Sequence, residues 1–173
     1  MAFAPLSLAE LNALEEEEFV ARIGPVYERS PWIARETWRH RPFASVEQLR
    51  AHLYATLRAA PPEVLLELIR AYPDPAGRLT RTGRLTLESF AEQHSAGLDR
   101  LTPEEAAEFD HLNRAYMQRF GFPFVICARR NDRTSILAAF QHRLENSPGQ
   151  EIETALDEIY MIAGLRLAQI VHD

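Results

Sequence analysis

Thr102, Pro103 and Glu105 stand in the order of a helix N-cap, a first-turn proline and the acidic partner of a capping box. Gly121 then stands where the helix they open has to stop. A cap oxygen accepts from a first-turn N–H that has no partner inside the helix, and glycine tolerates the left-handed residue that ends one. This pattern recurs along the chain and constrains its fold more than any other feature. Ser7 with Glu10 opens an acidic segment that closes at Gly24. Ser30 before Pro31 opens "PWIARETWRH", and Ser45 with Gln48 opens "VEQLRAHLYATLRAA". Pro61 and Pro62 open "EVLLELIRAY", and Thr86 opens "LESFAEQHSA", which stops at Gly97. Asp132 opens "RTSILAAFQHRLEN", and a last helix runs from about Gln150 to the end. The start and stop signals predict an all-α bundle of roughly eight helices.

One segment breaks the pattern. "FPFVICA", Phe122 to Ala128, is short, aromatic and β-branched, as strands are. No strand of similar quality is available to pair with it, so it is expected as an extended segment threaded through the helical core. No repeat or linker divides the chain, and a single domain over residues 1–173 is expected. The longest irregular stretch is 73–85, "PDPAGRLTRTGRL". Long loops in compact domains often carry function.

Composition narrows the function classes. A chain of 173 residues can bury a sizeable core. Its formal net charge of -6, without a Lys/Arg cluster, argues against a nucleic-acid partner. A single cysteine, Cys127, excludes an intrachain disulfide and fits a reducing compartment. The first residues lack a signal-peptide pattern, and no apolar run approaches the roughly 20 residues that span a bilayer. A cytoplasmic protein with no membrane partner is expected.

Three groups of residues could carry chemistry. Ser89, Glu92 and Gln93 follow i, i+3 and i+4, which puts a hydroxyl, a carboxylate and a carboxamide on one helix face. That face is either solvated or a polar ligand site. Arg166 lies on a helix that is apolar nearly all round and therefore buried. A buried arginine needs an anionic partner, either a structural carboxylate, for which Glu92 is a candidate, or a bound anion. The extended segment, finally, has backbone N–H and C=O groups that must pair with something if buried. The six histidines show no zinc-binding spacing, so no metal is assigned. Cys127, in an apolar run, reads as a packing thiol. Trp32 and Trp38 read as core or interface residues, and the apolar surface of "PWIARETW" as a candidate interface.

Taken together, these pieces resemble the 2-oxo-4-hydroxy-4-carboxy-5-ureidoimidazoline (OHCU) decarboxylases of urate degradation. The resemblance rests on "SPWIARETWRHRPFASVEQL", "PDPAGRL", "ESFAEQHSAGL", "LNRAYMQRFGFPFVICAR" and the terminal "IAGLRL", in the family's order over nearly the whole chain. It implies an all-α homodimer that decarboxylates a small-molecule substrate, OHCU, to (S)-allantoin without a cofactor. It further implies that Ser89, Glu92 and Gln93 contact the ureido and ring groups, and that the backbone of Phe124, Val125, Ile126, Cys127 and Ala128 binds the heterocycle. Pro73 would line the pocket, and Arg166 would hold an anionic part of the substrate. Tyr72, Glu92 and Arg166 would form the catalytic set.

The chain departs from the family at one position. Where the family has a histidine before the proline, this chain has Tyr72-Pro73. Imidazole titrates near pH ~6.5 and phenol near ~10, so tyrosine is a donor but a very weak base at neutral pH. His94 is a poor substitute, because it points about 100° away from Gln93 around the helix. The alternatives to OHCU decarboxylation are action on a related ureido or imidazoline acid, or ligand binding alone.

Overall fold

The computed structural model describes residues 3–77, 80 and 82–173. The helices among them are α1 (Leu8–Asn12), α2 (Glu16–Ile23), α3 (Trp32–Trp38), α4 (Val46–Arg58), α5 (Pro62–Ala71), α6 (Leu87–Ser95), α7 (Pro103–Phe120), α8 (Arg133–Arg143) and α9 (Pro148–Ala168). Short 3-10 turns occupy Gly24–Val26 and Ala128–Arg130. Two-residue strands β1 (Leu6–Ser7) and β2 (Val171–His172) pair in parallel, Leu6 with Val171. The expected all-α class holds, and of the irregular stretch 73–85, residues 78, 79 and 81 lie outside the described residues.

Most of the sequence signals act as read. The hydroxyls of Ser45, Thr86 and Thr102 and the carboxylate of Asp132 accept from the amide three residues on, at the heads of α4, α6, α7 and α8. Gly97 and Gly121 take the left-handed conformation after α6 and α7, at φ 74° and 78°. Four expectations need correction. The acidic segment is two helices, because α1 ends at Ala13 and α2 starts anew after Glu15. Gly24 ends α2 with helical dihedrals and continues into a 3-10 turn. Ser30 does not cap α3: Pro31 holds the cap position and the Ser30 hydroxyl donates to the Glu28 carbonyl at 2.9 Å. The last helix stops at Ala168, and the residues after it form β2, whose partner β1 carries too few residues to show any strand periodicity.

The chain divides into two compact units, residues 1–68 with 160–173, and residues 69–159. In the first, Leu11, Phe19, Ile23, Ile33, Leu49, Leu53 and Leu57 form the core with Ala163, Leu167 and Val171. Polar staples fix its loops. Asn12 donates to the Phe43 carbonyl at 2.9 Å and accepts from the Phe43 amide at 2.8 Å. Arg41 donates to the carbonyls of Asn12 and Leu14 and lies over the Trp38 ring. The Arg50 guanidinium lies 3.9 Å from the centre of the Tyr160 ring, and a Cβ at Gly164 would come within 2.7 Å of that guanidinium. The glycine of "IAGLRL" therefore makes room for a stacked arginine.

The second unit is built round aromatics. Phe109, Tyr116, Phe122, Phe124 and Phe140 are buried, and Phe124 stacks on Phe140 with centroids 3.7 Å apart. Full burial of a side chain of this size contributes roughly 1.5–3 kcal/mol, so the cluster anchors α7 and α8 on the 122–128 segment.

Candidate active site

Residues 123–127 belong to no helix or strand, Cys127 has extended dihedrals, and Ala128 already opens the 3-10 turn. In extended backbone, successive residues aim their N–H and C=O groups to opposite sides. Val125 and Cys127 share one side. There the Val125 carbonyl accepts from Arg143 Nη1 at 2.7 Å, and the Cys127 amide donates to Glu158 Oε2 at 2.9 Å. A trans peptide points its C=O and N–H oppositely, so the Ile126 N–H is directed away from the Val125 carbonyl and the Ile126 C=O away from the Cys127 amide, and neither has a hydrogen-bond partner among the described residues. Phe124, Val125, Cys127 and Ala128 are buried and Ile126 is half-buried. A half-buried residue whose N–H and C=O are both unpaired is what a heterocycle bearing N–H and C=O groups can pair with.

Helix α6 supplies the second element. It packs against the Ala128–Arg130 turn that ends the extended segment. Ser89, Glu92 and Gln93 are 3%, 7% and 5% exposed, so their face is an interior polar surface and not the solvated face that the sequence left open. Burial raises the Cys127 thiol above its ordinary range, with the Glu158 charge and then the Glu92 charge adding to the effect. Cys127 is therefore protonated at neutral pH and packs, as read from the sequence. Burial likewise raises the Glu158 carboxyl, while the Cys127 amide opposes that shift.

The third element is the turn after α5. Tyr72 is buried and Pro73 half-buried. The loop that follows is tied down by two helices. Gln93 Oε1 accepts from the Ala76 amide at 3.0 Å and from the Thr80 hydroxyl at 2.5 Å, and Gln93 Nε2 donates to the Asp74 carbonyl at 3.2 Å. Asn113 on α7 donates to the Pro75 carbonyl at 2.9 Å, and its own Oδ1 is buried without a hydrogen-bond partner among the described residues. Gln93, assigned to the ligand by resemblance, thus holds the loop beside Tyr72-Pro73.

Arg166 belongs to the first unit. It is 4% exposed, pairs with Glu28 Oε2 at 2.9 Å and donates to the Pro25 carbonyl at 3.1 Å. A structural carboxylate does stand beside it, Glu28. His94 bonds Asp99 at 2.6 Å and is half-exposed, consistent with leaving it out of the site. Large exposed apolar side chains occur at Leu87, Phe90 and Met117, whereas on α3 Ile33 and Ala34 are buried and Trp38 donates to the Leu14 carbonyl. Of the apolar side chains on α3, Trp32 and Trp38 stay partly accessible. Trp32 borders an open groove of about 840 Å³ that includes His40, His52, Thr56 and Val64. Sequence reasoning missed Asn113, Arg143 and Glu158. Each sits alone in a helical pattern, with no local spacing to mark it.

Among the described residues no three His, Cys, Asp or Glu side chains cluster to hold a metal, and no helix is long and apolar enough to cross a membrane. Fold and site define a helical protein with a polar, buried, backbone-lined pocket element. A family model described as OHCU decarboxylase matches residues 12–168. The chain is 42% identical over 96% of its length to the 2-oxo-4-hydroxy-4-carboxy-5-ureidoimidazoline decarboxylase of Amia calva, covering 95% of that protein. It is 40% identical over 95% of its length to the enzyme of that name from Halalkalicoccus jeotgali, covering 92% of it. Among solved structures it is similar to (S)-allantoin synthase, with a TM-score of 0.77 and 27% identity over 96% of this chain, spanning 54% of that longer chain. The chain belongs to the OHCU decarboxylase family.

Proposed function

We propose that this chain removes carbon dioxide from OHCU and delivers (S)-allantoin, a step of urate degradation. The observation that supports this best is similarity to named OHCU decarboxylases at about 40% identity over almost the full length of both partners. The site chemistry agrees with it. Breaking the C–C bond to the carboxylate leaves an electron pair on the ring carbon, which the adjacent unsaturated system can delocalise. The protein then has to orient the carboxylate, stabilise the developing charge and deliver a proton to one face.

In this reading the Ile126 peptide pairs with the heterocycle, and Ser89 and Glu92 contact its polar substituents. Gln93 serves the same pocket through the loop it holds. Tyr72 donates a hydrogen bond or a proton to the substrate, with Pro73 against the ring. Arg166 is assigned to an anionic part of the substrate, a role tested separately below. The working form is a cytoplasmic homodimer with one catalytic domain per chain.

The test couples urate, urate oxidase and hydroxyisourate hydrolase to this protein and follows (S)-allantoin by circular dichroism. Optically active product should appear faster than the uncatalysed background. A rate equal to background, with folded protein, rules the proposal out.

A further inference from the structure

Arg143 and Glu158 lie outside every motif of the sequence, yet both end on the backbone of the extended segment. Arg143 is 5% exposed and donates at once to Glu151 Oε1 at 2.8 Å and to the Val125 carbonyl at 2.7 Å. Its guanidinium lies 4.1 Å from the centre of the Phe124 ring. Glu151 is fully buried and is held in turn by the Tyr116 hydroxyl at 2.5 Å and by Asn146 Nδ2 at 3.0 Å. Glu158, three residues beyond Ala155 on the same helix, takes the Cys127 amide. The Val125 carbonyl and both backbone groups of Cys127 are thereby engaged.

This arrangement is a poor choice for stability alone. A buried ion pair often contributes no more than well-packed apolar residues of the same volume. Here Arg143 Nη2 is also buried without a hydrogen-bond partner among the described residues, a cost of about 1–3 kcal/mol. What the arginine provides is geometry. Its planar fork reaches a carboxylate and a carbonyl together, which a compact ammonium cannot do.

We propose that Arg143 and Glu158 are positioning residues, clamping the Val125 carbonyl and the Cys127 amide so that the Ile126 N–H and C=O are presented to the ligand. The proposal rests on the reading above that this segment takes the substrate. Without the clamp the peptide rotates, and ring contacts made equally in ground and transition states weaken. Such a loss appears in KM and leaves kcat nearly unchanged.

The test uses Glu158→Ala, Glu158→Gln and Arg143→Lys in the full chain. Glu158→Ala should raise KM for OHCU about tenfold with kcat within about threefold of wild type. Glu158→Gln, which keeps an acceptor oxygen for Cys127, should restore KM to within about threefold. Arg143→Lys keeps a charge for Glu151 but loses the fork, and should behave as Glu158→Ala does. A KM unchanged in Glu158→Ala, or not rescued in Glu158→Gln, overturns the proposal. Amide hydrogen exchange makes the test independent of turnover. In Glu158→Ala, protection should fall at Cys127 and its immediate neighbours alone, and added (S)-allantoin should slow Ile126 exchange in wild type more than in the variant. Protection lost throughout the second unit, or nowhere, would mean that Glu158 only packs. If wild type fails to turn over OHCU, the proposed function falls, and the exchange pattern at Cys127 still decides the clamp.

Discussion

Gln93 on α6 accepts a hydrogen bond from the amide of Ala76, a residue held at φ 52°. A side chain with a Cβ resists that left-handed conformation by about 1–2 kcal/mol. The bonds from Gln93 to Ala76, Thr80 and Asp74 hold the loop there, immediately after Tyr72-Pro73. Strain kept at such a place belongs to function more often than to stability. Ala76→Gly should therefore raise stability by about 1 kcal/mol while loosening the loop and lowering turnover. Gln93→Ala strands the Ala76 amide, takes one donor from the Asp74 carbonyl and should cost about 1–3 kcal/mol. Urea melts read both. A destabilised Ala76→Gly would show that the positive φ is not strained.

Arg166 and Glu28 make a buried pair, and removing one member takes a charged partner from the other. Arg166→Met alone should cost about 3–5 kcal/mol. Arg166→Met with Glu28→Gln should recover most of that loss. The double variant separates structure from binding, because a ligand that binds the native state raises its melting temperature. With the fold restored, a missing thermal shift with (S)-allantoin assigns Arg166 to the ligand. A full shift makes the pair purely structural.

The capping carboxyls set the acid limb of stability. Backbone amides at Ser7, Thr102 and Ser135 hold Glu10, Glu105 and Asp132 below their ordinary values, and a hydrogen bond from His94 does the same for Asp99. A carboxyl depressed in the folded state contributes stability above its unfolded value, here 4.5 for Glu and 3.8 for Asp, and loses it as pH falls through the folded value. Glu158 and Cys127, shifted upward, act in the opposite sense and lose stability as pH rises through their folded values. The melting temperature should thus decline below about pH 4.5, steeply below 4. Asp132→Asn keeps a cap oxygen without a titrating group and should flatten that decline. Thr102→Ala should cost about 1 kcal/mol at every pH.

The legible and illegible parts of the chain differ by the range of the interaction. Thr86, Thr102, Asp132 and Gly121 act within one helical turn, so their spacing carried the fold. The Ser89, Glu92, Gln93 spacing likewise marked a polar face, though only burial distinguished an interior surface from a solvated one. Arg143 and Val125 are 18 residues apart, Cys127 and Glu158 are 31, and Asn113 and Pro75 are 38. No local period encodes such contacts. Arg166 was legible as a buried cation needing a carboxylate, but nothing local pointed to Glu28, which lies 138 residues away.

Tyr72 sits at the end of α5, 4% exposed, where the family's histidine is expected. A phenol with an ordinary value near ~10 donates at neutral pH but hardly accepts a proton, whereas imidazole near ~6.5 does both. General acid–base catalysis by a well-matched group contributes roughly 10²–10⁴-fold. Tyr72→His should raise kcat for OHCU by about tenfold or more and introduce a new limb near pH ~6.5 in the profile of kcat/KM. Tyr72→Phe removes the donor and keeps the ring, and should lower kcat by about tenfold with KM nearly unchanged. If Tyr72→Phe matches wild type, the phenol takes no part in the reaction. If Tyr72→His adds neither rate nor a pH limb, the pocket has diverged beyond this one residue and a related ureido acid becomes the substrate to assay.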